Sequence, residues 1–271
     1  MPFNVGGQIL TAAQLKYYND TNIVKSGLVL YLDAGLGSSY PGTGTTWTDL
    51  SGNGYNGTLT NGPTYSTSGG GSIVFDGVDD YTGLSTSTGL LNLGSAFTIS
   101  GWIKLTSTSQ DLGILFSSLN VNLSTNTQGV GFYWRRINEY SMNSNTIRLQ
   151  FGINAWAWQV FASNGISITD TNWHYIVVSA SSMNTSSPTI TFYIDGTAQS
   201  GTRWDAGSVG PINYGTNANS LRLSSIYTAD SPGYQTNYSA NNISNLLIYT
   251  RALSTQEVLQ NYQAQRQRFG V

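Results

Sequence analysis

The residues of this 271-residue chain that can carry chemistry are two glutamates, one histidine and several aspartates near glycine turns. Glu139 and Glu257 are far apart in the sequence, whereas glycoside hydrolysis needs two carboxyl groups about 5 Å apart in its retaining form. Asp79 and Asp80 are adjacent, so in an extended strand they point to opposite faces and do not form such a pair. The sequence therefore predicts no hydrolytic site, and we expect no enzyme activity.

His174 is the only histidine and would have to serve any Ser-His-Asp site. It stands between Trp173 and Tyr175 in a run of residues typical of a strand. We therefore interpret His174 as a packed framework residue, which argues against a nucleophilic enzyme.

Calcium is the metal that best suits this chain, because it prefers hard oxygen ligands and Asp or Asn residues lie near several turns. The candidate ligands are Asp79, Asp80 and Asp49, with Asp33 and Asn53 nearby in the same kind of turn. We predict that a bound calcium ion would stabilise the Asp79–Asp80 loop without taking part in chemistry. The alternative is that these side chains hydrogen-bond the backbone of their own turns. No other cofactor is expected.

Tryptophans in the middle of the chain are the candidate contacts to a saccharide. Trp156 and Trp158 share one face of a strand about 7 Å apart, a spacing that allows stacking on sugar rings. Trp134 and Arg135 are further candidates for the same surface. The alternative is that these indoles pack in the core.

The composition excludes several partners. Charged residues are 9% of the chain, the formal net charge is −2, and no long run of Lys or Arg is present, so nucleic acid is not an expected ligand. The absence of cysteine excludes disulfides and thiolate metal sites. No apolar run reaches membrane-spanning length and the first residues lack the features of a secretory signal, so we expect neither membrane insertion nor general export.

Short alternating strands dominate the predicted structure. In Ser72–Leu84 an apolar strand is followed by Asp76-Gly77, which predicts a tight hairpin turn. Phe97–Leu105 alternates apolar residues on one face with Trp102 on the other and predicts a central strand. Trp173–Ala180 and Thr189–Gly196 predict a hairpin with a long loop. About a dozen such strands favour a large jelly roll over an immunoglobulin sandwich.

The two ends of the chain differ from this pattern. Thr11–Asp20 has helical spacing, and we predict that residues 1–26 form an arm with a short helix that contacts like copies or a larger assembly. Ser254–Glu257 forms a capping box, which predicts a C-terminal helix at about 254–264 within a domain of residues 27–271. Arg266, Arg268 and Phe269 form a tail suited to an interface.

Seven blocks of this sequence resemble the laminin-G-like branch of the concanavalin A-like jelly rolls. The blocks cover much of 28–104 and 173–262, and they read LVLYLDAG, DLSGNGYNGTL, SIVFDGVDDY, FTISGWIK, WHYIVVSA, TFYIDGT and NLLIYTRALSTQEVLQNY. The resemblance implies an all-β, concanavalin A-like antiparallel β-sandwich jelly roll. Family members usually carry an acidic residue in the last strand, where this chain has Asn245, so a calcium site implied by the family lacks one ligand here.

The starting MPFNVGG and the ending QRQRFG resemble the versions of this domain found in virion proteins of tailed bacteriophages. This implies a non-enzymatic structural or adhesion protein on the virion surface, such as a capsid decoration, fibre or tail-associated protein. The partners implied are other virion proteins, like copies and host-surface glycans. The alternatives are a carbohydrate-binding module that recognises cell-surface glycans and a degenerate glycosidase-like domain.

Overall fold

The structure of the chain is a computed structural model. It describes residues 3–5, 8–10, 22–85, 90, 92–122, 126–136, 144–154, 157–164, 167–185, 187–203, 211–215, 221–227 and 237–271, with backbone only for the described residues in the ranges 3–10, 121–127 and 153–158. The N-terminal strands are β1 (Phe3–Val5), β2 (Gln8–Leu10), β3 (Leu28–Asp33), β4 (Thr46–Trp47), β5 (Gly57–Thr60), β6 (Thr64–Ser66), β7 (Ser72–Asp76) and β8 (Tyr81–Leu84).

The remaining elements follow in chain order. The middle strands are β9 (Phe97–Leu105), β10 (Leu112–Ser117), β11 (Asn120–Asn122), β12 (Asn126–Gln128), β13 (Val130–Arg135), β14 (Thr146–Asn154) and β15 (Ala157–Asn164). The last strands are β16 (Trp173–Ser181), β17 (Thr189–Ile194), β18 (Thr197–Arg203), β19 (Arg222–Leu223), β20 (Ser225–Ile226), β21 (Asn237–Tyr238) and β22 (Ala240–Tyr249), and the helix α1 spans Thr255–Phe269.

Sixteen of these strands form one hydrogen-bonded antiparallel sheet. Its order is β4-β5-β8-β19-β10-β13-β14-β15-β18-β17-β16-β9-β22-β7-β6, and β3 pairs with β22 beside this path. The sheet folds over on itself, so Phe132 of β13 and Phe192 of β17 stack with ring centroids 6.5 Å apart. The predicted all-β antiparallel sandwich is confirmed.

Strand β9 shows why this sequence folds as two layers. It lies between β16 and β22, as predicted for a central strand. Phe97, Ile99 and Ile103 belong to the large core inside the sandwich, whereas Trp102 belongs to a second cluster on the outer face. The period-2 alternation of the sequence therefore fills two separate hydrophobic clusters.

The Asp76-Gly77 turn is not the predicted hairpin. Strand β7 pairs with β6 and β22, whereas β8 pairs with β5 and β19, so the turn joins two distant parts of the sheet. Gly77 has φ 80°. The hairpin turn with two positive φ angles is instead Asp195 (φ 52°) and Gly196 (φ 78°), between β17 and β18. A two-residue turn of this kind matches the twist of the flanking strands.

Helix α1 confirms the predicted C-terminal helix and runs five residues beyond the expected end at 264. Ser254 is the N-cap, and its side chain and that of Glu257 form the reciprocal capping box. Gly270 has φ 79° and ends the helix in the left-handed conformation. The extra turn carries the residues that attach the helix to the sheet.

The tail predicted to face a partner packs on its own sandwich. The buried Arg268 side chain pairs with Asp33, with Nη2 2.8 Å from Oδ1, and donates from Nε to the Gly69 carbonyl oxygen at 2.7 Å. Phe269 stacks on Trp102 with ring centroids 3.9 Å apart. These two side chains are therefore intramolecular anchors, because the outer face of the sheet is apolar and needs a cover.

The end of the predicted N-terminal arm also belongs to the fold. Ile23 and Val24 are buried, and the Val24 amide donates to Asn261 Oδ1 of α1 at 2.9 Å. A domain that starts at residue 27 would therefore lack part of the outer cluster. Strands β1 and β2 form a small hairpin that was not predicted. The helix predicted for Thr11–Asp20 falls outside the described residues.

Candidate functional site

A concave site lies at the C-terminal end of α1 and is called here the His174 cleft. It has a volume of about 370 Å³. Strand β9, the start of β16, the β17–β18 turn and the end of α1 border it on the protein side. It is lined by Lys104, Asn172, Trp173, His174, Asp195, Phe269, Gly270 and Val271. A cleft with aromatic walls and a few polar groups is the usual form of a small-ligand site.

Two carboxylates hold the imidazole of His174. Nδ1 lies 2.7 Å from Asp195 Oδ2, and Nε2 lies 3.0 Å from Asp170 Oδ1. Asp195 Oδ1 also accepts the Tyr175 amide at 2.8 Å, so the turn residue is fixed to the start of β16. The prediction of a framework role for His174 agrees with this geometry, but its two carboxylate partners were not predicted.

The charge state of His174 follows from these contacts. Burial alone would lower its pKa, but the hydrogen bonds and negative charges of Asp195 and then Asp170 outweigh burial and raise the pKa above its ordinary 6.5. For Asp170, burial alone would raise the pKa, but the Asn172 amide and His174 outweigh it and lower the pKa. The imidazolium therefore acts as a bridge between the loop at Asp170 and the β17–β18 turn.

Aromatic packing makes the wall of the cleft rigid. Trp173 and Phe269 have ring centroids 5.2 Å apart at 56°, and Phe269 is stacked on Trp102. Trp173 Nε1 donates to Ser68 Oγ at 3.2 Å. A Cβ on Gly69 would lie 2.7 Å from the Phe269 ring, so glycine at this position permits the close approach.

The second candidate site is the acidic loop, which consists of Asp76, Asp79 and Asp80. Each offers a carboxylate oxygen within 4.8 Å of the others. Asp80 Oδ2 accepts the Asp76 amide at 3.1 Å. Burial raises the Asp80 pKa and the charges of Asp76 and Asp79 add to the shift, although the amide bond opposes it. Calcium prefers hard oxygen ligands such as these carboxylates, and its positive charge would offset their mutual repulsion.

Asp49 does not join the acidic loop. Its carboxylate accepts the amides of Tyr31 at 2.9 Å, Ser51 at 2.9 Å and Tyr55 at 3.0 Å. It therefore organises its own loop, which is the alternative that the sequence left open for these residues. Asp33, the other aspartate considered for calcium, is committed to Arg268.

Asn245, which stands where an acid was expected, serves the interior of the protein. Its Oδ1 accepts the Trp102 amide at 3.1 Å across a break in the strand register, and its Nδ2 donates to Gln265 Oε1 at 3.1 Å. Trp102 Nε1 donates to the same Gln265 oxygen at 2.8 Å. Asn245 is fully buried. A charged acid at this position would lack the Nδ2 donor to Gln265 and would lose its own hydration.

The candidate saccharide contacts are not assembled into one platform by the described residues. Trp134 is fully buried in the sandwich core and donates from Nε1 to the Ile168 carbonyl oxygen at 3.2 Å. It is a core residue, because every second side chain of β13, including that of Trp134, points into the core. Arg135 ends β13 and is half-buried. Trp156 falls outside the described residues, and only the backbone of Trp158 is described, in β15.

The glutamates give no acid pair among the described residues. Glu257 Oε1 lies 2.5 Å from Arg251 Nη2, and Ser254 donates to Oε2 from its amide at 2.9 Å. The hydrogen bond from Arg251, followed by those from Ser254, lowers the Glu257 pKa to about 2 against a smaller effect of burial. Glu257 is thus a structural anion at the helix start. Glu139 falls outside the described residues.

One feature of the sequence indicates the contact between His174 and Asp195, namely the register of the predicted hairpin. Strands β16 and β17 pair with Ile176 opposite Ile194, so His174 falls beside the Asp195-Gly196 turn. The hairpin and the turn were both predicted, and their register would have placed this carboxylate near the imidazole. Asp170 and Phe269 could not be placed in this way, because they reach the site through tertiary packing.

The fold is that of a lectin-like β-sandwich. A family model described as "Concanavalin A-like lectin/glucanases superfamily", of laminin-G type, matches residues 76–259. This range is more than half of the chain, and the chain therefore belongs to that superfamily. The match includes the middle of the chain, which the sequence blocks left uncovered. No curated protein gives a significant sequence match.

Solved structures show the same fold at low identity. The binding domain of Paraclostridial Mosquitocidal Protein 1 has 18% identity and a TM-score of 0.58 over 88% of this chain and 52% of that chain. The binding domain of botulinum neurotoxin DC in complex with SialylT has 12% identity and a TM-score of 0.58 over 89% and 52%. Trypanosoma rangeli sialidase in complex with sialic acid has 12% identity and a TM-score of 0.55 over 95% and 38%.

This chain spans about half or less of the length of those structures. They establish the sandwich fold alone. Within the described residues, no helix has both the length and the apolar character that crossing a bilayer requires.

Proposed function

We propose that this protein is a non-enzymatic adhesion or structural protein that displays a lectin-like sandwich. The observation that carries the proposal is the arrangement around His174. Both nitrogens of the only histidine are held by carboxylates, so the imidazole serves as a strut at the edge of a ligand-sized cleft. Glu257 is likewise bound to Arg251 and the helix start. Such groups support recognition of a ligand without turnover.

The proposed setting is the surface of a tailed-phage particle, as a capsid decoration, fibre or tail-associated protein. Its support is the resemblance of the starting and ending sequence segments to virion proteins, together with a low-charge surface rich in hydroxyl and amide groups. The proposed partners are other virion proteins or like copies, contacted through residues 1–21, which precede the buried Ile23 and Val24.

A labelling experiment tests this setting. Antibodies against the purified protein should label intact particles at a regular position by electron microscopy, and the protein should co-sediment with particles through a density gradient. Particles that lack the protein altogether would contradict the virion assignment. A polysaccharide panel assayed for released reducing ends should show no turnover, and turnover that Glu139→Gln abolishes would contradict the non-enzymatic role.

The second candidate function is carbohydrate binding to cell-surface glycans. The His174 cleft favours it, because the cleft combines aromatic walls with fixed polar groups and has a volume of about 370 Å³. The same fold occurs in a botulinum neurotoxin binding domain that was solved with SialylT, so a glycan ligand is compatible with this architecture. A glycan array probed with the purified protein tests this function, and uniform absence of binding would contradict it.

A further inference from the structure

We propose that His174 is a pH-operated latch. The protonated imidazole holds residues 169–172, called here the latch loop, against strand β16, and the neutral imidazole releases them. The latch is independent of the ligand that the protein recognises. It gives His174 two states, whereas the sequence predicted a packed framework residue with one.

Only the protonated ring of His174 can make both of its hydrogen bonds. Nδ1 lies 2.7 Å from Asp195 Oδ2, and Nε2 lies 3.0 Å from Asp170 Oδ1. An ionised carboxylate accepts hydrogen bonds but donates none, and a neutral imidazole carries one N–H where the imidazolium carries two. Loss of one proton therefore leaves one of the two carboxylates facing the lone pair of a ring nitrogen.

Asp170 is the partner that loses its bond. Asp195 is closer to the ring, its side chain is 32% exposed, and its other oxygen accepts the Tyr175 amide at 2.8 Å, so it is fixed to β16. Asp170 is farther from the ring, is 49% exposed and lies in a loop. The proton on Nε2 therefore passes to solvent and the one on Nδ1 stays. Asp170 Oδ1 then faces the Nε2 lone pair, and this repulsion favours movement of the carboxylate into water.

The latch loop is anchored at its two ends and exposed between them. Ile168 and Trp173, which flank it, are both buried, whereas all four residues of the loop are exposed. Inside the loop the Asn172 amide donates to Asp170 Oδ1 at 2.7 Å, and this bond belongs to the turn itself. Among the described side chains, the link between the tip of this loop and the sheet is the contact with His174. A loop with so few contacts opens locally at low cost once that link is lost.

Other titratable groups near His174 set where the latch opens. Lys104 of β9 lines the same cleft and favours loss of the proton, whereas the carboxyl group of Val271 beyond α1 favours its retention. On β16 itself, burial raises the pKa of Tyr175 to about 12, so this phenol stays neutral. Burial lowers the pKa of His174, but its two carboxylate partners outweigh burial and raise the pKa above 6.5. We therefore expect the latch to open as pH rises from 6.5 through this raised pKa.

Opening of the latch changes one side of the cleft and leaves the other side as it is. Asn172 lines the cleft and belongs to the latch loop, so the cleft widens at this side. Nε2 of the neutral ring becomes an acceptor that faces solvent, where the protonated ring has a donor bound to a carboxylate. Phe269 keeps its place, because it stacks on Trp102 and not on the imidazole. The cleft therefore has a closed form at low pH and an open form, with a new acceptor, at high pH.

Nuclear magnetic resonance of the full chain, titrated from below to above the pKa of His174, tests the latch. The backbone order parameters of the latch loop should fall from about 0.85 to below about 0.6 as the ring loses its proton. Those of Ile103 in β9 and Val177 in β16 should stay near 0.85, which shows that the sandwich remains folded. The nitrogen chemical shifts of His174 should identify the neutral form as the Nδ1–H tautomer. A latch loop equally ordered throughout, or an Nε2–H tautomer, would overturn the latch.

Two changes at Asp170 separate the latch from a general effect of pH. The amide of Asp170→Asn can accept from the protonated ring and donate to the neutral one, so it should keep the loop ordered at both ends of the titration. Asp170→Ala can do neither and should leave the loop disordered throughout. Asp111→Asn, which changes an exposed carboxylate paired with Arg136, is the matched control and should behave like the parent chain. A loss of order in Asp170→Asn equal to that of the parent would contradict the role of this bond.

Discussion

Few charged side chains are available to this protein, and several of them have a specific partner. His174 bridges two carboxylates, Glu257 binds Arg251, and Asp33 binds Arg268. The solubility of the molecule therefore depends on hydroxyl and amide groups, while charges fix particular contacts. Single-residue changes at these pairs should have effects that can be distinguished from one another.

The stability of the protein should decrease as pH rises above neutrality because of His174. Its pKa is raised above 6.5 in the folded chain, so the folded chain holds this proton more tightly than the unfolded chain. The contribution is complete below the unfolded pKa and is lost as pH rises through the folded pKa. We expect the melting temperature to fall as pH rises from about 6.5 through the raised pKa of the folded chain. His174→Gln should remove that part of the decrease, and an unchanged pH profile would show that the bridge adds no stability.

Calcium should stabilise the acidic loop. The three carboxylates repel one another, and a divalent cation would relieve this repulsion and tie Asp76, Asp79 and Asp80 together. We expect the melting temperature to be higher with calcium than with chelator. Asp79→Asn should remove the difference, whereas Asp111→Asn, which changes a carboxylate paired with Arg136, should keep it. Identical melting curves with calcium and with chelator would remove the ion from this loop.

At the scale of elements, the start of α1 is stabilised by its cap. Ser254 Oγ accepts from the Glu257 amide at 3.3 Å, and Glu257 Oε2 accepts from the Ser254 amide at 2.9 Å. We expect Ser254→Ala to lower the free energy of unfolding by about 0.5–2 kcal/mol, measured by urea denaturation. Gln256→Ala, at an exposed position of the first turn, is the control and should change it little. Equal effects of the two changes would contradict the role of the cap.

The alternation of apolar residues and the helix cap made the individual elements predictable, but the pairing of the strands was less predictable. Phe97–Leu105 was recognised as a central strand because its apolar residues alternate with Trp102, and α1 was recognised from Ser254 and Glu257. The Asp76-Gly77 dipeptide indicated a turn correctly but not which strands follow it. Local sequence sets the backbone angles of a turn, whereas partners of β7 and β8 are distant in the chain.

The candidate site was harder to predict than the fold. His174 was interpreted as a framework residue, and Asp79 and Asp80 were named as possible calcium ligands without Asp76, which lies beside them in the acidic loop. The cleft itself needs α1 to fold back over β9, and no periodicity shows where a helix docks. Arg268 and Phe269 illustrate this point, because the same residue types are common at protein interfaces and in intramolecular contacts.

For the whole molecule, the pair of Arg268 and Asp33 holds the helix to the sandwich. Arg268 is 6% exposed and Asp33 is 1% exposed in their side chains, so removal of either partner leaves an unpaired buried charge. We expect Arg268→Ala to cost about 3–5 kcal/mol in the free energy of unfolding by urea denaturation. The exposed Arg266→Ala is the matched control. A cost no larger than that of the control would show that the helix is held by its apolar face alone.

The boundary of the folded unit should lie at residue 22 rather than at residue 26. A chain that begins at Asn22 keeps Ile23 and Val24, which are 2% and 7% exposed, whereas one that begins at Ser26 loses both. Each buried aliphatic side chain contributes about 1.5–3 kcal/mol, so the shorter chain should melt at a clearly lower temperature. Both truncated chains should fail to join particles, because both lack the proposed assembly segment. Normal assembly of the longer one would contradict that segment's role.

The ends of the sheet determine how this sandwich can meet another chain. The path finishes in β4 and β6, strands of two and three residues, which offer few unpaired backbone groups. The free side of β3 is covered by its own loop, where Leu50 donates to the Tyr31 carbonyl at 2.8 Å and Ser51 Oγ donates to that of Val29 at 2.9 Å. In the part of the chain that the structure describes, the ends of the large sheet therefore give a neighbouring strand little template for extending it. Within the described residues, copies of this protein packed densely on a surface would therefore resist extending the large sheet from one molecule into the next.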